Sequence, residues 1–232
     1  MGLKIRSTDN IVENQGHFLL LYGKSKSGKT TAMKTLEGKT LVIDADEGIT
    51  SLDGADGIDY LTINESTANI IKEMKEVFEI VDKNIDKYDN FVLDTFTALS
   101  KMFLDVHMKG VKDGRQAYGA LNTSLYPIVK KFEKLARQHG KNVIFTAQVE
   151  VSQDENEKEI IVPSIDGQKF LTKVVMPRFD GIIALEVDAM QKRWFITRQS
   201  GKWWSGIRDA HNRLKQKEPA NFAELFKTIK GK

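Results

Sequence analysis

The sequence has no cysteine, which rules out disulfide cross-links, thiolate zinc sites and thiol nucleophiles. Its four histidines, His17, His107, His139 and His211, are dispersed without metal-ligand spacing, so nothing points to zinc. No apolar run approaches the ~20 residues that a membrane span requires, and no membrane association is expected. The opening MGLKIRSTDN carries no apolar signal core and lacks the Ser or Thr of a myristoylation signal, so a cytoplasmic location is the expectation. The formal net charge is only +3, an excess too small to demand or exclude nucleic acid, because phosphate binding depends on where Lys and Arg cluster. Internal repeats and low-complexity linkers are absent as well. What is there is an ordinary globular composition, 41% hydrophobic and 29% charged over 232 residues, enough to bury one full core.

The most informative segment runs from Phe18 to Thr30. It reads FLLLYGKSKSGKT, an apolar strand leading straight into G-x-x-x-x-G-K-T, the pattern of a phosphate-binding loop. Gly23 and Gly28 let the backbone of Lys24, Ser25, Lys26 and Ser27 wrap with its N–H groups inward, and the following helix presents its positive end to the same point. Lys29 can reach the β- and γ-phosphates as a point charge. The Thr30 hydroxyl can ligate a Mg²⁺ bridging those phosphates, and Thr31 adds a second hydroxyl. A nucleotide with Mg²⁺ is the expected ligand.

Strand, loop and helix alternate along the chain, the signature of a mainly parallel sheet covered by helices. Strands are expected over Phe18 to Tyr22, Thr40 to Ile43, Tyr60 to Ile63, Phe91 to Leu93 and Val143 to Ala147. Ile70, Ile71, Met74, Val77, Phe78 and Val81 fall at helical spacing and predict an amphipathic helix. A long helix from Gln116 to His139 gathers Leu121, Leu125, Ile128, Val129, Phe132 and Leu135 on one face and contains Pro127, which can kink it. Other helices are expected from Thr30 to Leu36, Ala98 to Met108 and Asn221 to Ile229, with a loop at Gly110 to Gly114. The polar stretch Ser152 to Glu159 between two apolar runs reads as a hairpin tip, and Ile182 to Val187 with Arg193 to Arg198 as an antiparallel pair.

Three strand ends supply the rest of a candidate site. Asp94 closes an apolar strand, where its carboxylate can hold Mg²⁺ through water beside the phosphate loop; the alternative is a carboxylate that caps the next helix. Asp46 or Glu47 can orient or deprotonate an attacking water. Gln148, after Thr146 and Ala147, places a neutral amide where it can feel the γ-phosphate and pass its state to the next loop.

The set GKSKSGKT, LVIDADEG, FVLDTFT and VIFTAQ, in this order and with these separations, resembles the core of RecA-like ATPases. The likeness is closer to the compact phage-encoded RecA-like nucleotide-binding proteins, a group that includes single-strand annealing recombinases. PSIDGQKF followed by MPRFDGIIAL, and Tyr118-Gly119, add to it. The resemblance implies one α/β domain over 1–232: a RecA-like P-loop NTPase core over about 17–206, its mainly parallel sheet flanked by helices and ending in antiparallel strands, then a short helical tail over 207–232. It implies ATP hydrolysis with Mg²⁺, a homo-oligomeric ring or filament, and single-stranded DNA as partner, with a single-stranded-DNA-binding protein as a further one. Lys29 and Thr30 match the loop lysine and hydroxyl, Asp94 the second metal-site carboxylate, and Gln148 the glutamine that couples nucleotide state to DNA. Asp46 falls where the family has its catalytic Glu; it is one methylene shorter, and Glu47 stays open as the base. Val149 to Phe170 would correspond to a DNA-contacting loop. Its tip, Asp154-Glu155-Asn156-Glu157, repels phosphate, which moves the expected contacts to Lys169, Lys173 or Arg178.

Arg193, Trp194, Arg198, Lys202, Trp203, Trp204 and Arg208 gather near the end. In RecA-like assemblies a cation from one subunit completes the next subunit's site, and Lys202 and Arg198 are the candidates for it. Trp203 and Trp204 can stack on bases or pack in a core. Two other readings stay open: a nucleotide-dependent DNA-binding switch without significant hydrolysis, and a small-molecule kinase, although no Arg-rich lid segment is present. No N-K-x-D tetrapeptide for reading guanine occurs.

Overall fold

The computed structural model of the protein describes residues 15–64, 69–109, 111, 113–167 and 171–231. The N-terminal readings, Gly110 and Lys169 fall outside them. In chain order the strands are β1 (Phe18–Gly23), β2 (Thr40–Asp44), β3 (Ile58–Thr62), β4 (Asn90–Asp94), β5 (Asn142–Gln153) and β6 (Glu159–Ser164). They continue with β7 (Gly181–Val187), β8 (Arg193–Ile196), β9 (Arg198–Ser200), β10 (Trp203–Ile207) and β11 (Lys217–Pro219). The α-helices are α1 (Lys29–Ala32), α2 (Ile70–Lys83), α3 (Phe96–Met108), α4 (Gly114–His139) and α5 (Phe222–Lys230).

β1 has no polar face to offer water, and all six of its residues are buried. It therefore takes a central place, parallel to β5 on one side and β7 on the other. From β5 the parallel pairing continues through β4 and β2 to β3. β5, the strand that carries Gln148, thus lies between the loop strand and the strand that ends at Asp94. Alternation along β1 splits the core in two. Phe18, Leu20 and Tyr22 join the apolar faces of α2, α3 and α4, whereas Leu19 and Leu21 join Ala32 and Met33 and the apolar face of α5. Phe145 sits at the centre of the larger cluster, with its ring 5.1 to 5.7 Å from those of Phe18, Phe96, Phe132 and Phe179.

β5 is one strand of 12 residues, not two. Its first half lies in the parallel core and its second half pairs antiparallel with β6, forming the expected hairpin. β6 meets β10 at Ile161 and Trp203, and β10 pairs with β7, so the pairings β1-β5-β6-β10-β7 close a circuit. The Tyr22 hydroxyl lies inside it, 3.0 Å from the carbonyl oxygen of Ile161 and 2.8 Å from that of Trp204. Trp203 meets the Tyr22 ring edge-on at 5.8 Å, and both Trp203 and Trp204 are half-buried against the larger core. Their position favours packing over base stacking.

Two expectations need correction. The loop helix does not run to Leu36: α1 has four residues and gives way to a 3₁₀ turn, Met33–Thr35. The Thr35 hydroxyl donates to the carbonyl of Ala32 at 2.6 Å and accepts the Phe222 N–H at 2.9 Å, so the start of α5 occupies the space a further turn would need. The segment after 206 is not helical alone, because β11 pairs antiparallel with β8 before α5 begins. No helix of the described residues is long and apolar enough to cross a membrane.

Candidate functional site

The loop between β1 and α1 turns tightly, with Lys26 at φ 61° and Gly28 at φ 100°. A side chain at Gly23 would press on Ser27 Oγ and the Leu185 carbonyl at about 3 Å, so glycine there lets the loop lie against β7. Gly28 precedes α1 without a side-chain cap, and no acidic residue occupies the first turn. The first amides of α1 therefore have no acidic side chain within their own turn, as a phosphate cradle requires.

Lys29 is 7% exposed, and its Nζ donates to the carbonyls of Gly23 and Lys24, each at 3.1 Å. Burial of the ammonium pulls its pKa below the ordinary lysine value, opposed by Asp94 and Asp46. Gly23 and Lys24 give their carbonyls to Lys29, and Ser27 is buried. Ser25, Lys26, Gly28, Lys29, Thr30 and Thr31 line a cleft of about 370 Å³.

Asp94, at the end of β4, is 1% exposed. Thr30 Oγ1 donates to its Oδ2 at 2.7 Å, and the hydroxyl of Thr146 donates to its Oδ1. Asp94 does not cap the next helix. Thr95, joined to it by a cis peptide bond, accepts the Ala98 N–H and caps α3. The carboxylate is thereby left directed at the loop hydroxyl, the arrangement a water-mediated Mg²⁺ contact needs.

β2 runs beside β4 with Asp44 in register with Asp94. Asp44 is buried, its Oδ1 accepts the Gly48 N–H at 3.2 Å, and its Oδ2 has no partner among the described residues. Burial pushes its carboxyl up to about 6, helped by the charges of Asp46 and Asp94 and opposed by backbone N–H donors. Of the two carboxylates considered as base, Asp46 lines the cleft. Glu47 is exposed with a left-handed backbone and is not part of the lining. Gln148 also lines the cleft, its own N–H held by Thr97 Oγ1 at 2.9 Å.

A family model described as an AAA domain matches residues 16–208. The chain belongs to that family. As an AAA domain it is a nucleotide-binding protein of the P-loop NTPase type, and the cleft carrying Lys29 is the candidate nucleotide site. A comparison with curated proteins returned no match.

The loop residues, Asp46, Asp94 and Gln148 of this AAA domain come together; Lys202 does not join them. Its ammonium pairs with Glu159 at 2.6 Å, and Arg198 is held by Asn212 and the Leu214 carbonyl. Arg178 is bound to Glu133 and Tyr126 at 2.6 and 2.5 Å, so it braces α4 and is not free to meet DNA, whereas Lys173 is exposed. Two residues that sequence reasoning did not assign are at the site. Thr146 holds Asp94 from the neighbouring strand. Arg193, at the start of β8, donates from Nε to the Ser27 carbonyl at 2.9 Å and lines the cleft. The only sequence signal for Arg193 was its place in the basic cluster.

Mg²⁺ fits this donor set in a specific sense. Among the described residues no group of three or more His, Asp or Glu could hold a metal ion alone. The Thr30 hydroxyl and the Asp94 carboxylate offer one hard oxygen contact and one water-holding contact, leaving room for phosphate oxygens and water.

Proposed function

We propose that this protein is a RecA-like, Mg²⁺-dependent ATPase that couples ATP hydrolysis to single-stranded DNA in phage recombination or replication, working as a homo-oligomer. One observation carries the reading: the loop cation and hydroxyl, Asp46 just after β2, Asp94 at the end of β4 and Gln148 within β5 share one cleft although they are far apart in the chain.

In this reading the Lys29 ammonium exchanges the carbonyls of Gly23 and Lys24 for phosphate oxygens, and the loop amides hold the β-phosphate. Thr30 and Asp94 would hold Mg²⁺, which would supply charge neutralisation to the phosphates. Asp46 accepts a proton from the attacking water. Gln148 stands where β5 leaves the parallel core for the β5–β6 hairpin, so a change in its contact with the γ-phosphate has a continuous strand along which to act. Lys173, exposed after that hairpin, is the candidate to meet a DNA phosphate, which the acidic tip would repel.

Phosphate release from ATP and Mg²⁺ at fixed low salt, with and without single-stranded DNA, tests this, with Lys29→Ala as the blank. A DNA-stimulated rate that disappears in the blank is expected. ATP binding without phosphate release would replace the reading with a nucleotide-dependent switch. Transfer to a small-molecule acceptor would replace it with a kinase.

A further inference from the structure

The cations expected to complete the site belong to a neighbouring subunit, yet the chain already places a guanidinium in its own cleft. Arg193 reaches the loop from a sheet strand. Its backbone pairs with Val187 of β7, and its carbonyl accepts the Ala220 N–H at 3.1 Å. This framework fixes the root of the side chain. The Nε–H is used on the Ser27 carbonyl, while Nη1 and Nη2 make no hydrogen bond or ion pair with the described residues. The guanidinium is thus anchored at one nitrogen and has donors left at the other two. Lys202 and Arg198, by contrast, are engaged elsewhere and absent from the lining.

Gly28 bears on the same arrangement. A Cβ there would lie 2.4 Å from Arg193 Nε and 2.9 Å from its Cδ. The glycine therefore serves the loop's φ and also leaves the passage through which the arginine crosses the loop. Of the cleft's two lysines, Lys26 is exposed at the turn and the buried Lys29 is attracted by both Asp94 and Asp46. No ion pair of Arg193 with a carboxylate is formed among the described residues, so its guanidinium keeps donors for an entering anion.

We propose that Arg193 is a catalytic residue acting in cis: its free Nη groups contact the nucleotide's phosphate chain and stabilise the charge that develops when the γ-phosphoryl group is transferred. In that step a water oxygen forms the new bond to the γ-phosphorus as the β–γ bridging P–O bond breaks. The bond's electron pair stays with ADP, and the water's proton passes to Asp46 and then to solvent. A planar fork bound at Nε and open at both Nη positions suits the spread of charge over phosphoryl oxygens better than a lysine point charge. The inference rests on the ATPase reading and adds that each subunit carries its own phosphate-contacting arginine.

The test combines turnover, nucleotide affinity and mixing. In Arg193→Ala, ATP turnover should fall roughly 10²- to 10³-fold while ATP affinity falls less than about tenfold, because the contact strengthens as charge develops. Arg193→Lys should recover only part of the rate, and the melting temperature should stay near wild type because the side chain is exposed. Arg193→Ala is then mixed with Lys29→Ala before loading on single-stranded DNA. Lys29→Ala binds no nucleotide but keeps its own Arg193, so a trans-acting arginine would rescue the mixture and overturn the cis assignment. No rescue, with the loss of turnover above, supports it. Turnover within about twofold of wild type in Arg193→Ala, a change near the noise of one weak contact, would also overturn it. A wild-type protein that binds ATP without releasing phosphate would remove the ATPase reading separately. The contact would then be judged by binding, where unchanged ATP affinity in Arg193→Ala rejects it.

Discussion

Acid should weaken this fold through one imidazole remote from the nucleotide cleft. His17 precedes β1, is 7% exposed, and stacks on Phe226 with ring centroids 4.5 Å apart. Its Nε2 has no partner among the described residues. Burial lowers its pKa from 6.5 to about 4; Lys230 of α5 and Arg137 of α4 push in the same direction, and Asp180 ahead of β7 pushes against them. The folded protein therefore keeps the ring neutral at a pH where the unfolded chain has already taken up a proton. The unfolded state binds more protons between these two values, so stability is complete above about 6.5 and is lost progressively as pH falls toward about 4. The whole gap corresponds to ~3 kcal/mol. Between about pH 7 and about pH 5 it amounts to roughly 2 kcal/mol, or a fall of about 4–8 °C in melting temperature for a domain of this size. Other groups titrate over the same interval, so the informative quantity is a difference. His17→Phe keeps a ring against Phe226 and removes the titration. Urea unfolding of both proteins at the two pH values should show wild type losing ~2 kcal/mol more than the variant. Equal losses would refute the reasoning and mean that the buried ring finds a proton acceptor or water that keeps its pKa near the unfolded value.

Two further substitutions probe the loop and its support. Tyr22→Phe leaves the Ile161 and Trp204 carbonyls without the phenolic donor; a loss of about 1–2 kcal/mol is expected in urea unfolding, and an unchanged midpoint would show that the hydroxyl contributes nothing to the β1-β6-β10 junction. Gly28→Ala meets both an unfavourable φ and the Arg193 side chain, and should weaken ATP binding at least tenfold, about 1.4 kcal/mol, in a fluorescent-nucleotide titration. Partial recovery of that loss in Gly28→Ala combined with Arg193→Ala would measure how much belongs to the clash and how much to the backbone.

Much of the site was legible because its parts are contiguous in the chain. Gly23 to Thr30 carries its conformational and chemical requirements within a single turn, so the loop could be read without knowing what surrounds it. Asp94 was legible as the polar end of an apolar strand and Gln148 as the polar residue after an apolar run, although its strand continues to Gln153, and the hairpin and the amphipathic α2 were legible from their periods. The same local signals could not choose between Asp46 and Glu47, since neighbouring residues differ only in which way the turned backbone directs them.

Local sequence determined the loop, the elements and the alternation that gives β1 two buried faces, because these depend on φ preferences and on burial periodicity over a few residues. The tertiary structure alone decided which distant groups meet. Thr146 reaches Asp94 across 52 positions because β5 lies beside β4, Arg193 reaches Ser27 across 166 because β8 is held by β7 and β11, and Lys202 is drawn to Glu159 because β10 meets β6. Strand order and register arise from burying the sheet as a whole, and no short stretch of residues encodes them.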